Sequence, residues 1–237
     1  MMKKKIFLLA GQSNMQGCGN FGTLPVYKDR RIFNFKDGKW HVAEEPLHNY
    51  TCKIWPDGGA GLAMSFGLRL LEEFPEWEIG FVPCAVSSSA LELWQPGAEL
   101  FENAVSKTSQ ALKQGEGELV TILWHQGEFD SRSRETAETY SNRFNLMING
   151  FRKEFNNEDL PIIAGGLNNF LARRPEFAYY QIVNNALKRT ATAFVSSKGL
   201  TANDRNDNTH FDTKSLREFG VRYAEAYLNL QKKQGLC

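Results

Sequence analysis

Five short apolar runs, each too brief to be a buried helix and separated by stretches of helical periodicity, constrain the fold of this 237-residue chain more than any other feature. They are Ile6 to Ala10, Ile79 to Pro83, Val120 to Trp124, Pro161 to Ala164 and Ala193 to Ser196. Strands that are apolar on both faces need cover on both faces, as in a parallel sheet buried between helices. The intervening stripes supply that cover. Phe101, Ala104, Val105, Thr108, Ala111 and Leu112 recur at helical spacing, as do Ala137, Tyr140, Phe144, Met147, Ile148, Phe151 and Phe155. A last stripe, Leu216, Phe219, Tyr223, Ala224 and Tyr227, follows the capping pair Asp212-Thr213. Strand and helix in alternation imply right-handed crossovers and a three-layer α/β/α sandwich around a central parallel sheet of about five strands.

The segment from about 18 to 60 resists this pattern. It is rich in turn formers and offers only a hairpin, Arg31 to Phe35 and Lys39 to Val42, around Asp37-Gly38, so it reads as an ordered insertion in a single domain spanning 1–237. Lys and Arg total 28 against 27 Asp and Glu, a net charge of +1 that argues against a nucleic-acid partner. Cys18, Cys52, Cys84 and Cys237 lie far apart, a spacing that supports neither a zinc site nor a disulfide framework. Lys3-Lys4-Lys5 imitates the charged start of a signal peptide, but the apolar run behind it stops after five residues, short of the roughly 7 to 15 that a signal core needs. No run approaches the roughly 18 apolar residues of a membrane span. The expectation is a cytoplasmic protein without a membrane partner, in which the sequon Asn49-Tyr50-Thr51 is idle.

Sheets of this kind bind ligands at the carboxyl ends of their strands, so chemistry is to be sought just after each run. The first is followed by Gly11-Gln12-Ser13-Asn14-Met15-Gln16-Gly17. A serine placed there is exposed, but as a nucleophile it needs a base for its proton and N–H donors for the developing oxyanion, and it serves equally as a helix cap. Met15 stands where the second glycine of Gly-x-Ser-x-Gly would be, which argues against the elbow of the α/β-hydrolases. Before the last helix, Asp207 and His210 are three residues apart. That spacing lets a carboxylate hold one imidazole nitrogen and leave the other as a base, though a turn aspartate beside a solvated histidine has the same letters. After the third run, Gln126 offers an amide to an oxyanion, while His125 reads also as a core histidine and Glu128 and Asp130 as helix caps. Val86-Ser87-Ser88-Ser89, after the second run, lets backbone N–H groups approach a ligand or is a plain polar turn. Gly17-Cys18-Gly19-Asn20-Phe21-Gly22 has the glycine spacing of dinucleotide-binding loops, but Thr23-Leu24-Pro25 follows it in place of a helix, so it reads as a loop bordering the cleft.

Taken in order, Gly11-Gln12-Ser13-Asn14-Met15, Val86-Ser87-Ser88-Ser89, Trp124-His125-Gln126-Gly127-Glu128 and Asp207-Asn208-Thr209-His210-Phe211 resemble the sialate O-acetylesterase and acetylxylan esterase branch of the SGNH hydrolases, which includes the family six carbohydrate esterases. The resemblance runs from Lys5 to Tyr227 and implies a flavodoxin-like sandwich with a serine esterase site. It makes Ser13 the nucleophile, His210 the general base and Asp207 its orienting acid. The Ser13 N–H, the Gln126 side chain and a backbone N–H near Ser88 become the oxyanion hole. Here Ser87-Ser88-Ser89 replaces the family's Gly-Gly-Thr, so a residue other than glycine takes a position that can require φ > 0. Gln12, Asn14, Ser87, Trp94 and Glu128 become weaker candidates for substrate contact, with His125 and Glu128 as rival base and acid. Trp55 and Phe129 are further aromatics that either stack on sugar or pack. Arg173-Arg174 contacts an acidic sugar or is a solvated pair. The implied chemistry needs no metal or organic cofactor, and its partner is a small acetylated carbohydrate, xylan-derived or sialic-acid-like. A non-catalytic carbohydrate-binding protein on the same fold is the alternative.

Overall fold

A computed structural model describes residues 3–22, 24–48, 59–114, 117–203, 205, 207–233 and 235. Its strands are β1 (Lys4–Gly11), β2 (Lys28–Lys36), β3 (Lys39–Glu44), β4 (Ile79–Pro83), β5 (Gly117–His125), β6 (Ile162–Gly165) and β7 (Ala193–Val195). The helices are α1 (Ser13–Gln16), α2 (Ala63–Glu73), α3 (Glu99–Lys113), α4 (Arg134–Glu138), α5 (Tyr140–Glu154), α6 (Tyr180–Thr190) and α7 (Thr213–Lys233). All five expected strands are present. Among the described residues the sheet has seven, in the order β3-β2-β4-β1-β5-β6-β7, and every pairing is parallel except the β2/β3 hairpin. The expectation of about five strands therefore needs correction. The hairpin within the insertion turns at Asp37 and Gly38, both with positive φ, and β2 then pairs with β4 through Ile32 opposite Ile79. It extends the sheet through a short stretch in which Ile32, Asn34 and Phe35 are buried, and which the flanking lysines and arginines hide in the sequence.

Side-chain alternation along the strands divides the core in two. Phe7 of β1 points to the face covered by α2 and α7, where it meets Phe66 edge-on at 4.8 Å and Tyr227 at 5.4 Å. Trp124 of β5 points to the other face and packs on Trp94 and on Phe144 of α5. His125, one residue further on, returns to the α7 side beside Phe219. Ile6 to Ala10 are completely buried, as an apolar strand in the middle of a sandwich requires.

From β1 the chain goes first to β2, β3 and β4 on one side and then to β5, β6 and β7 on the other. The carboxyl end of β1 is thus the topological switch point, where the loops diverge and leave a crevice. Gly11 makes the exit possible: its φ is +128, and a Cβ there would lie 2.1 Å from the His125 carbonyl oxygen.

The two helices on one face approach as closely at Gly220 of α7, where a Cβ would meet the Leu62 carbonyl oxygen at 2.0 Å and Ser65 Oγ at 2.2 Å. Alanine gains about 1 kcal/mol of helix propensity over glycine, but overpacking against backbone costs roughly 1–3 kcal/mol or more. Gly220→Ala is expected to be net destabilising, seen as a lower urea midpoint with an unchanged slope.

Candidate active site

The chain leaves β1 through hydrogen bonds that place Ser13. Gln12 N–H donates to the His125 carbonyl at 2.8 Å, and the N–H groups of Met15 and Gln16 fold back onto the Gln12 carbonyl at 2.9 and 3.0 Å. Ser13 therefore begins a single helical turn at the crevice. Its Oγ lies 2.8 Å from His210 Nε2, and His210 Nδ1 lies 2.8 Å from Asp207 Oδ2. A carboxylate only accepts, so Nδ1 carries the proton and Nε2 faces the serine hydroxyl as an acceptor.

Asp207 is held on every side. Its Oδ1 accepts the N–H groups of Thr209 at 2.8 Å and His210 at 2.9 Å, and its Oδ2 accepts Asn203 Nδ2 at 2.9 Å. Burial pushes the Asp207 carboxyl up, but the hydrogen bonds from His210 and Thr209, joined by the positive charge of the imidazole whenever it is protonated, outweigh it and hold the carboxyl below its ordinary value. Arg174 donates to the Asp207 carbonyl at 2.5 Å and to Thr209 Oγ1 at 3.2 Å, while Arg173 donates to Asn208 Oδ1 at 3.3 Å. The arginine pair, read from sequence as a solvated pair or a sugar contact, thus pins the loop that carries the histidine.

Asn14 and Glu128 lie under the site and not on its surface. Asn14 is 1% exposed; its Nδ2 donates to Glu128 Oε1 at 2.7 Å and to the Thr209 carbonyl at 3.1 Å, and its Oδ1 accepts Phe211 N–H at 3.2 Å. One amide so ties the turn after β1, the loop after β5 and the histidine loop together. Burial pushes the Glu128 carboxyl up, but His125 and Asn14 more than offset this and leave it below its ordinary value. His125 Nε2 stands 3.6 Å from Glu128 Oε1, in ion-pair range and too far for a hydrogen bond, and His125 is fully buried against Phe211 and Phe219. The Ser13 hydroxyl is hydrogen-bonded to His210 and, among the described residues, to neither His125 nor Glu128.

The Ser13 N–H has no acceptor among the described residues, and neither do those of Ser87 and Ser88. Ser88 is exposed and has φ +59, the left-handed backbone that a glycine adopts without strain. Val86 N–H donates to the Gly11 carbonyl at 3.0 Å, which sets this loop beside the exit of β1. Gln126 does not fit the oxyanion role expected of it. It is completely buried, and both Nε2 hydrogens have acceptors, the Ser89 carbonyl at 3.0 Å and Asp130 Oδ2 at 2.6 Å, while its Oε1 accepts Tyr140 O–H at 2.8 Å. Asp130 in turn accepts Leu91 N–H at 2.8 Å and pairs with Arg143 at 2.7 Å. Gln126 is therefore an anchor for the serine loop. Sequence reading missed this network because Asp130 and Tyr140 carry ordinary capping and core signals.

Trp94 also needs correction as a sugar contact: it is completely buried, with its Nε1 donating to Ser89 Oγ at 3.0 Å. Gln12 is 3% exposed, with its Oε1 buried and without a partner among the described residues. Phe129 is exposed on the surface beneath the Arg132 guanidinium. Trp55, Cys52 and Cys237 lie outside the described residues; Cys18 and Cys84 are buried thiols. Among the described residues no three His, Cys, Asp or Glu side chains converge as a metal-ligand set, and no helix is long and apolar enough to cross a membrane.

A family described as carbohydrate esterase, sialic acid-specific acetylesterase, matches residues 3–229. A probable carbohydrate esterase of Arabidopsis thaliana is 31% identical over 253 residues, which cover 95% of this chain and 90% of the relative. An X-ray structure of an Arabidopsis thaliana protein, 30% identical, superposes with a TM-score of 0.82 over 96% of this chain and 99% of that one. The crystal structure of NanS, 18% identical, gives 0.78 over 98% of each chain. A carbohydrate acetylesterase from Xanthomonas citri, 20% identical, gives 0.66 over 97% of this chain and 57% of that one. The last two share the fold.

Two outcomes follow from this geometry. Asn14→Ala strips partners from the buried Glu128 carboxylate and from the Thr209 and Phe211 backbone, and is expected to lower the unfolding free energy by about 2–3 kcal/mol in urea titrations. Because the Asp207 carboxyl is depressed in the folded state, its stabilising contribution is fully present above the unfolded value near about 3.9 and is lost as pH falls towards the folded one. The stability gap between the native chain and Asp207→Asn should therefore narrow below about pH 4 and be widest near neutrality.

Proposed function

From its membership of the carbohydrate esterase, sialic acid-specific acetylesterase family, to which the chain belongs, we propose that it hydrolyses acetyl esters of small carbohydrates through an acyl-serine intermediate. The observation that carries this reading is the Ser13–His210–Asp207 relay, with 2.8 Å at each link, at the switch point of the sheet. In this mechanism Ser13 Oγ attacks the acetyl carbonyl while His210 Nε2 takes its proton. The negative charge develops on the carbonyl oxygen, for which the unpaired N–H groups of Ser13 and Ser88 are the available donors. His210 then returns its proton to the sugar oxygen as the C–O bond breaks. Water attacks the acetyl-serine with His210 again as base, and acetate leaves. Asp207 holds the imidazole in one tautomer throughout and stabilises the imidazolium. The names borne by relatives support acetylated sugar as the substrate class, since the Xanthomonas citri relative is called a carbohydrate acetylesterase.

The serine in place of glycine at position 88 bears on the rival reading of a sugar-binding protein without catalysis. Because Ser88 adopts the left-handed conformation, its N–H is presented as a glycine would present it, at a cost of about 1–2 kcal/mol of backbone strain. Ser88→Gly and Ser88→Ala both retain that N–H, so each is expected to keep kcat within about threefold of the native value.

The reading is tested by steady-state hydrolysis of 4-nitrophenyl acetate and of an acetylated xylo-oligosaccharide. Ser13→Ala is expected to lose at least about 10³-fold in kcat/KM, and Asp207→Asn about 10²- to 10⁴-fold. Equal rates in Ser13→Ala and the native protein would remove the acyl-serine mechanism. Saturable sugar binding with no turnover in the native protein would establish the binding-protein reading instead.

A further inference from the structure

The turn that follows β4 carries a strained residue whose side chain the fold does not use. Ser89 N–H donates to the Val86 carbonyl at 3.4 Å, which makes Ser87 and Ser88 the central pair of the turn. Val86 N–H and the Ser89 hydroxyl both donate to the Gly11 carbonyl, at 3.0 and 3.4 Å, so the base of the turn is fastened two residues before Ser13. Trp94 Nε1 donates to Ser89 Oγ at 3.0 Å, and Gln126 Nε2 to the Ser89 carbonyl at 3.0 Å. The tip of the turn is not engaged in this way. Ser88 is exposed, and its hydroxyl, like that of Ser87, has no hydrogen-bond partner among the described residues.

Where φ is positive at the third position of a turn, glycine is the favoured residue because it has no Cβ to strain. Ser88 has φ +59 there, and no bond from its hydroxyl to the described residues offsets the cost of about 1–2 kcal/mol. The partner of that hydroxyl is therefore water in the free protein and a bound molecule when one is present. Covalent geometry narrows the choice. A serine Oγ stays within about 4 Å of its own backbone nitrogen in every rotamer. An ester whose carbonyl oxygen is held by the Ser88 N–H thus brings its neighbouring atoms within reach of the Ser88 hydroxyl. The acetyl group carries no polar atom besides that oxygen, so a polar group met there belongs to the alcohol part. In a sugar, the carbon next to the acetylated one carries a hydroxyl; in a simple alkyl ester it carries none. Two hydroxyls match because each both donates and accepts.

We propose that Ser88 is a specificity-determining residue, its hydroxyl exchanging a hydrogen bond with the sugar hydroxyl beside the acetylated oxygen. This role rests on the acetylesterase reading and deepens it: the substrate class becomes acetyl esters that have a free hydroxyl on the neighbouring carbon. The backbone of position 88 serves the carbonyl oxygen and its side chain serves the sugar, a second contact that glycine does not provide.

The test compares two esters that differ by one group, the monoacetate of trans-cyclohexane-1,2-diol and cyclohexyl acetate, in the native protein, Ser88→Ala and Ser88→Gly. The readout is the ratio of their kcat/KM values, in which any change common to both esters cancels. Loss of folded protein lowers both rates alike and leaves the ratio unaffected. In each variant the preference for the diol monoacetate is expected to fall by about three- to tenfold, the worth of one neutral hydrogen bond, through a higher KM for that ester. Ser88→Gly relieves the backbone strain that Ser88→Ala keeps, so a fall of the same size in both assigns the effect to the hydroxyl. A ratio retained in either variant would overturn the proposal. Hydrolysis of neither ester by the native protein, or hydrolysis undiminished in Ser13→Ala, would strike the acyl-serine reading and this role with it, whereas a retained ratio with Ser13-dependent hydrolysis strikes the role of Ser88 alone.

Discussion

An amide that is 1% exposed must find its partners inside the protein, and Asn14 finds them on two other loops besides its own turn. Glu128 and the Thr209 carbonyl take its hydrogens, and Phe211 supplies a donor for its oxygen. Ser13 and His210 are 197 residues apart in the chain, and their 2.8 Å contact depends on loops that would drift independently without such a link. A buried polar group left unmatched costs more than a matched one gains, so a network of this kind tolerates one arrangement and penalises every near miss.

The same logic extends to the buried charges around the crevice. Glu128 faces His125 and Asn14, and Asp130 faces Arg143, Gln126 and the Leu91 N–H. Ions withdrawn from water in this way contribute little net stability; their consequence is fixed geometry. Here the fixed elements are the serine loop, held through Gln126 and the Ser89 carbonyl, and the histidine loop, held through Asn14 and Arg174. The backbone N–H groups of Ser13 and Ser88 are left without acceptors among the described residues. Preorganised donors of that kind stabilise developing charge without reorganising at the moment of reaction.

Position 88 illustrates how a local rule yields to tertiary context. Serine resists φ > 0 by about 1–2 kcal/mol, yet the chain adopts +59 there. The flanking bonds determine the outcome: Val86 is fixed to Gly11, and Ser89 to Gln126 and Trp94, and the residue between them must turn sharply. Strain at one residue is smaller than the loss of several buried hydrogen bonds.

Periodicity alone determined much about this protein. Apolar runs of strand length alternating with helical stripes dictate a parallel sheet between helices, because neither element can bury its apolar face otherwise. Spacing also made the Asp207/His210 pair legible, since three residues of loop bring a carboxylate to an imidazole. Only the tertiary structure decided the rest. It recruited the hairpin of the insertion to the sheet, where a short, largely buried stretch from Ile32 to Asn34, hidden among lysines and arginines, pairs β2 with β4. It turned Asn14, Glu128, Gln126 and Trp94 inward, away from the substrate roles their neighbourhood suggested. It also made Arg174 and Asn203 supports of Asp207. The physical reason is common to all of these. Periodicity reports which face of an element is apolar, whereas the partners of a buried polar group are chosen in three dimensions, by residues that the chain brings together from far apart.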